Sequence, residues 1–227
     1  MTPTRDLCII LLAGGVGARM GSATPKQFLQ LKNKAVARHS FDLFMSLPEA
    51  LEIVVVCAPQ YQRLFPQINS DVRLIFALPG ERRQDSVYNG LQASGSSSSL
   101  ICIHDAARPC INLPLVQRVL AAGREYGAAA AGMPVKFTVK ECNQEQLVAY
   151  TPNRSRLWEV QTPQVIRRDL LEQGFAHAMQ HQIAVTDDVS LVELLKSPVK
   201  LVEGCHTNLK ITTPEDLAHC KIIIDHL

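Results

Sequence analysis

The chain has 227 residues, a formal net charge of +2, 47% hydrophobic and 19% charged residues. That length supports one large α/β domain with a full core, or two small ones. The balanced charge argues against a nucleic-acid partner, which calls for a clustered basic face. No stretch holds the roughly 20 apolar residues that a membrane-crossing helix needs, so no membrane role is expected.

The first strand is expected at LCIILLA (7–13). It runs into glycines and an arginine rather than a small-residue cleavage site, so it does not read as a signal peptide. VARHSFDLFMSL (36–47) puts Val36, Phe41, Phe44 and Met45 on one helical face. EIVVVCA (52–58) is an unbroken β-branched run, as expected of a parallel strand buried on both faces. A strand VRLIFAL (72–78), a helix over Ser86–Ala93 and a flexible surface connection SGSSSS (94–99) follow. LICIHDA (100–106) is the next strand, and LPLVQRVLAAGREYG (113–127) a helix stopped by Gly127. AAAAGMPV (128–135) reads as a strand because the alternation of strand and helix calls for one there.

Residues 135–158 break that rhythm. Two short alternating runs, Val135–Glu141 and Gln146–Tyr150, flank CNQE and suggest a β-hairpin arm. Such an arm has little core of its own and is expected to pack on a second subunit. Helices at 167–181 and 188–196, strands at 199–204 and 208–212, and a final helix opened by Thr213 and Pro214 complete the chain. The expected fold is α/β: a doubly wound, mostly parallel sheet with a protruding β-hairpin arm, in one domain spanning 1–227. Ligands then gather at the carboxyl ends of the strands.

The seven cysteines include no C-x-x-C spacing, and several sit in apolar runs, so reduced and mostly buried thiols are expected. His177 and His181 have i,i+4 spacing but no third ligand, which favours two surface histidines over a metal site.

The stretch AGGVGARMGSATPKQF (13–28) carries the first functional signal. In a dinucleotide-binding G-x-G-x-x-G turn, Gly15 and Gly17 fit but Met20 takes the third glycine's place. No ribose-binding acid appears in CAPQYQ after the second strand either, which weakens a nicotinamide oxidoreductase. A P-loop needs a lysine directly after its last glycine, and none follows Gly21. What remains is a loop in which Ala13, Gly14, Gly15 and Gly17 let backbone N–H groups approach a triphosphate. Arg19 and Lys26 can fold onto the same anion, as a phosphoryl transfer requires. Asp105, at the end of strand LICI, can hold Mg²⁺ against nucleotide phosphates, or serve as a helix N-cap or turn residue. Asp85 reads as an acid at a helix N-terminus.

This loop resembles the nucleotide-binding loop of the 2-C-methyl-D-erythritol 4-phosphate cytidylyltransferases of the non-mevalonate isoprenoid pathway. The resemblance continues through GERRQDSV (80–87), HDAARP (104–109), TPNRSRLWEVQTPQ (151–164), TDDVS (186–190) and NLKITTPEDL (208–217). Ribitol-5-phosphate cytidylyltransferases share much of the pattern. The resemblance implies a nucleotidyltransferase with a Rossmann-like sheet, using CTP, a phosphorylated polyol and Mg²⁺ or another divalent cation. The reduced thiols point to a cytoplasmic protein, and the arm is expected to join two subunits into a homodimer. The resemblance assigns Gly80, Arg83 and Ser86 to the cytosine and ribose, and Asp105 and Ala106 to the nucleotide. Asp105, Arg108, Thr138, Arg154 and Thr162 go to the sugar phosphate, and Arg19, Lys26, Arg154 and Lys210 to catalysis, Lys210 also touching CTP. Two positions depart from the family: Pro79 stands where a glycine is usual, and Gly14 where alanine is more frequent. A nucleotide-binding module without catalysis stays open at this level.

Overall fold

The computed structural model describes residues 4–15 and 24–226. Gly17 and Arg19 lie outside the described residues. Seven strands form the main sheet: β1 (Leu7–Leu12), β4 (Ala50–Val56), β5 (Arg73–Ala77), β6 (Leu100–Asp105), β7 (Ala128–Pro134), β10 (Trp158–Arg167) and β11 (Lys200–Glu203). Their order across the sheet is β11-β7-β10-β6-β1-β4-β5. Every pair is parallel except those made by β10, which runs antiparallel to both β6 and β7.

The central strands are buried on both faces, and alternation sorts their side chains into two cores. Leu7, Ile9 and Leu11 join helices α1 (Val36–Met45) and α3 (Leu113–Tyr126) through Phe41, Phe44, Val116 and Val119. Cys8 and Ile10 face the other way, toward Val87 and Leu91 of α2 (Arg83–Ala93) and Leu171 and Phe175 of α4 (Arg168–Gln180). The chain moves outward from β1 through β4 and β5, then crosses to the other side at β6. That reversal opens a crevice beyond the carboxyl ends of β1 and β6, where a ligand can enter between diverging connections.

Several expectations change in detail. The segment WEVQTPQVIR, expected to precede a helix, is strand β10, inserted between β6 and β7. NLKIT (208–212) forms no strand; the Ile211 N–H donates to the Ala107 carbonyl at 2.8 Å, which ties the segment to the loop after β6 instead. The helix expected over 188–196 is the short α5 (Ser190–Glu193). Helix α2 starts at Arg83, where Arg82 and Asp85 close a reciprocal cap, so Asp85 acts as the N-terminal acid expected of it. Helix α3 ends at Gly127 with φ of +85°, and α6 (Pro214–Ile224) opens on a Thr213–Asp216 capping box.

The arm is a hairpin only near its tip, where β8 (Glu141–Cys142) pairs with β9 (Val148–Tyr150). Residues 136–151 are all exposed. The remaining short elements among the described residues are a two-residue pair, β2 (Gln30–Leu31) and β3 (Lys34–Ala35), and 3-10 turns at Lys26–Phe28, Pro59–Leu64 and Arg154–Arg156. All seven cysteines are free thiols; Cys142 is exposed, Cys205 half-buried and the other five buried.

Candidate active site

A cavity of about 340 Å³ occupies the crevice beyond β1 and β6. Gly14, Gly15, Lys26 and Gln27 line one side; Gly80, Glu81, Arg82, Arg83 and Ser86 line the second; Asp105, Ala107 and Lys210 line the third. Residues far apart in the chain therefore meet where the sheet topology opens.

The glycine-loop wall is built by backbone registration. The Ala13 N–H donates to the Val56 carbonyl at 2.9 Å, which extends the β1–β4 pairing by one residue. Lys26 opens a 3-10 turn whose Phe28 ring stacks on Tyr61 at 3.8 Å, so an aromatic contact fixes the turn that carries the lysine. The second wall is a loop that requires glycine. A Cβ on Gly80 would lie 2.4 Å from Asp85 Cβ, and the Gly80 N–H donates to Ser86 Oγ at 3.0 Å. Ser86 thus holds the loop at the mouth of α2.

Asp105 is the electrostatic centre. It is 7% exposed and ends β6. Arg83 Nε lies 3.2 Å from its Oδ1, and Lys210 Nζ 2.7 Å from its Oδ2, with Arg108 Nε at 4.0 Å. Burial opposes ionisation of this carboxyl, but the charges of Arg83, Lys210 and Arg108 win and hold it well below the usual carboxylate range. Arg83 also makes two 2.8 Å bonds to Asp188, which is 2% exposed. Burial raises the Asp188 pKa; Arg83 opposes this, while Asp105 and Asp187 add to it. Arg83 is consequently held between two acids in one fork-shaped geometry.

Beneath this layer sits a buried polar shelf. The Asp105 N–H donates to Thr162 Oγ1 at 3.1 Å, and the same hydroxyl pairs with His104 Nδ1 at 3.1 Å. His104 is fully buried against Phe44, and desolvation lowers its pKa to about 4, so its ring is neutral near pH 7. Arg108 is buried too: one of its terminal N–H groups donates to the Asn208 carbonyl at 2.8 Å, and its Nε has no hydrogen-bond partner among the described residues. Asn208 in turn donates to the Thr162 carbonyl at 2.8 Å.

A model of the 2-C-methyl-D-erythritol 4-phosphate cytidylyltransferase family (IspD) matches residues 7–226. The chain belongs to this family. Among relatives of this cytidylyltransferase, the chloroplastic enzyme of that name from Oryza sativa subsp. japonica is 47% identical over 94% of the chain and 72% of its own length. The one from Desulforamulus reducens is 38% identical over 93% of each. The crystal structure of 4-diphosphocytidyl-2C-methyl-D-erythritol synthase from Anaerococcus prevotii superposes with a TM-score of 0.85 at 26% identity, covering 97% of the chain and 99% of that one. The cytidylyltransferase fold, a mixed and mostly parallel sheet flanked by helices, is therefore shared along essentially the whole chain.

Within this cytidylyltransferase the sites expected from sequence fall into three groups. Gly14, Gly15, Lys26, Gly80, Arg83, Ser86, Asp105 and Lys210 meet at the cavity. Ala13, Ala106, Arg108 and Thr162 lie buried behind it; Ala107, not Ala106, forms the wall. Thr138 and Arg154 are exposed on the arm, where Arg154 donates to the Lys136 carbonyl at 3.1 Å. Asp188, Gln27 and Asn208 carry no role in the sequence reading, although all three sit inside or beside recognisable motifs. The rings of His177, on α4, and His181, which caps its end, lie 4.4 Å apart and tilted by 44°, and among the described residues no group of three His, Cys, Asp or Glu side chains could hold a metal.

Proposed function

We infer that this chain transfers the cytidylyl group of CTP to 2-C-methyl-D-erythritol 4-phosphate, releasing pyrophosphate, a step of non-mevalonate isoprenoid biosynthesis. The observation that carries the reading is the cavity at the switch between β1 and β6. It sets a glycine loop and Lys26 opposite an ionised Asp105 held by Arg83 and Lys210, in a chain of this family.

The nucleophile is a phosphate oxygen that already carries charge, so no strong general base is required. It attacks the α-phosphorus, the bond to the bridging oxygen breaks, and pyrophosphate leaves with the electron pair. Catalysis then rests on alignment and on cancelling charge around the phosphorus. Ala13, Gly14, Gly15 and Gly17 offer backbone to the triphosphate, and Arg19 and Lys26 neutralise the departing pyrophosphate. Gly80, Arg83 and Ser86 flank the base and ribose, with Asp105 and Ala106 beneath. Lys210 lies where the α-phosphate and the incoming phosphate meet. Arg108 approaches the second substrate from below, and its Nε, 4.0 Å from Asp105 Oδ2 and without a hydrogen-bond partner among the described residues, is a donor that a ligand or water can use. Thr162 serves by holding the Asp105 backbone rather than by reaching into the cavity.

The divalent cation in this reading, Mg²⁺, accompanies the triphosphate. Asp105 fits a hard cation through the lone pairs left on a carboxylate that lines the cavity and also accepts from Arg83 and Lys210. Bound there with the phosphates, Mg²⁺ would supply neutralisation of their negative charge.

Thr138 and Arg154 project from an arm with exposed Phe137, Leu147, Val148 and Tyr150, which supports a homodimer in which the arm serves a neighbouring site. We place the enzyme in the cytoplasm, which suits water-soluble phosphate esters and free thiols. No described helix is long and apolar enough to cross a membrane. The test is pyrophosphate release from CTP and Mg²⁺ with each of two phosphoalcohols. Turnover with methylerythritol phosphate and not ribitol 5-phosphate is expected; preference for ribitol 5-phosphate overturns the substrate, and CTP binding without release overturns the enzyme.

A further inference from the structure

The buried side chain of Gln27 has no part in the reaction as described. It is 3% exposed, sits next to Lys26, and spends its amide N–H₂ group on two backbone carbonyls of the glycine loop. Its Nε2 lies 2.8 Å from the Ala13 oxygen and 2.7 Å from the Gly15 oxygen. The residue between those carbonyls, Gly14, is confined from another direction. A Cβ there would lie 2.4 Å from Pro79 Cβ and 3.0 Å from Pro79 Cγ. Pro79 is the residue before Gly80 and is stiff by its ring. The start of the loop is therefore pinned twice, once by each of the two segments that complete the cavity walls.

We propose that Gln27 and Pro79 form a clamp on residues 13–15 that sets the position of the glycine loop relative to Lys26 and to the Gly80 loop. Gln27 acts as a positioning residue. Its backbone belongs to the Lys26 turn and its side chain holds the loop, so one residue fixes the separation of two anion-binding parts. A trans peptide points its N–H opposite to its carbonyl, so the Ala13 carbonyl held on Gln27 leaves the Gly14 N–H turned away from it. The side chain must be a two-proton donor: a glutamate of the same shape offers none when ionised and sets its charge against two carbonyl oxygens. Pro79 works by contact alone, and tolerates only hydrogen at position 14. The two departures from the family pattern are thereby one feature, a ring admitted because a methyl group is missing.

This proposal rests on the cavity being the CTP site, and the experiment separates the two. Wild-type pyrophosphate release tests that reading by itself. With an active wild type, Gln27→Glu is compared by steady-state kinetics across pH. Misplacing the loop by a fraction of an ångström to 1 Å is expected to lower kcat/KM for CTP on the order of 10²-fold. The KM for CTP rises and that for the phosphoalcohol moves little. A buried glutamate facing carbonyls has a raised pKa, so the deficit shrinks as pH falls from about 8.5 to about 6, because the protonated acid regains one donor. A lost fraction of folded enzyme would shift kcat at every pH and leave both KM values alone. Wild-type kinetics in Gln27→Glu, or a deficit without pH dependence or KM split, overturns the role of Gln27.

Should Gln27→Glu fail to fold, the Pro79 side gives a separate reading. Gly14→Ala is expected to raise the KM for CTP on the order of 10-fold, and Gly14→Ala with Pro79→Gly to restore most of it. Equal defects in the single and double variants overturn the clamp.

Discussion

The Asp105 cluster and the arm both carry residues assigned to the second substrate, yet they are built in opposite ways. Asp105 is buried at the end of a central strand, with cations from three separate segments converging on it. Thr138 and Arg154 stand on a segment exposed from residue 136 to 151 and beyond, with Phe137 73% exposed. One region is preorganised by the fold of a single chain. The other leaves the large apolar side chains of Phe137, Leu147, Val148 and Tyr150 exposed on the single chain. Electrostatic stabilisation is strong where water is excluded and groups need not reorganise, so the charge-handling residues belong in the first region.

That contrast can be broken by removing the centre of the buried region. Asp105→Ala leaves Arg83, Lys210 and Arg108 facing one another, and loss of one partner from a buried ion pair costs about 3–5 kcal/mol. Urea denaturation should show a loss of that size, together with loss of turnover. An unchanged midpoint would mean the cluster is not a structural unit. Lys26→Ala comes next: kcat should fall on the order of 10²–10³-fold with stability nearly intact. Near wild-type turnover would remove Lys26 from charge stabilisation.

The buried shelf predicts a pH effect with a definite sign. The folded-state pKa of His104 is about 4, against an unfolded value of 6.5. Between those values the unfolded chain takes up the proton first, so stability falls as pH drops through that window, by on the order of 3 kcal/mol in all. The Asp105 carboxyl, with its pKa lowered by its cations, contributes stability above its unfolded value near 3.8 that is lost only on further acidification. Thermal melts at a series of pH values should show the first decline, and a His104→Gln variant should flatten it.

The smallest effect on folding belongs to the arm. Phe137→Asp should change monomer stability by no more than about 0.5 kcal/mol, yet shift sedimentation from dimer to monomer and raise the KM for the phosphoalcohol. A dimer unaffected by that charge would place the subunit contact elsewhere. Arg154→Ala should leave the dimer intact and raise the same KM.

The parallel core was legible because β1, β4 and β6 are continuous apolar runs, the pattern that burial on both faces demands. Strand β10 was not. Its WEVQTPQVIR contains a proline and several polar groups, and its pairing with β7 shifts register between Val160 and Gln164. NLKIT alternates like a strand, but its Ile211 N–H goes to the Ala107 carbonyl in the loop after β6 rather than to a strand. The site was legible to the extent that a motif announces a backbone need, as the glycines and HDAARP do. Asp188 was hidden because its importance lies in reaching Arg83 across 105 positions. Gln27 was hidden because its partners are backbone carbonyls, which leave no trace in side-chain identity.

By itself, then, the sequence determined the buried parallel strands, the glycine loop, the acid at the end of LICI and the membership of the chain in its family. These follow from local composition and short spacings. The tertiary structure alone decided that Asp105 is shared by three cations, that Thr162 supports its backbone, and that Pro79 needs Gly14. Those relations are distances between remote segments. A topology that reverses beside β1 creates them by bringing the carboxyl ends of its strands to one crevice.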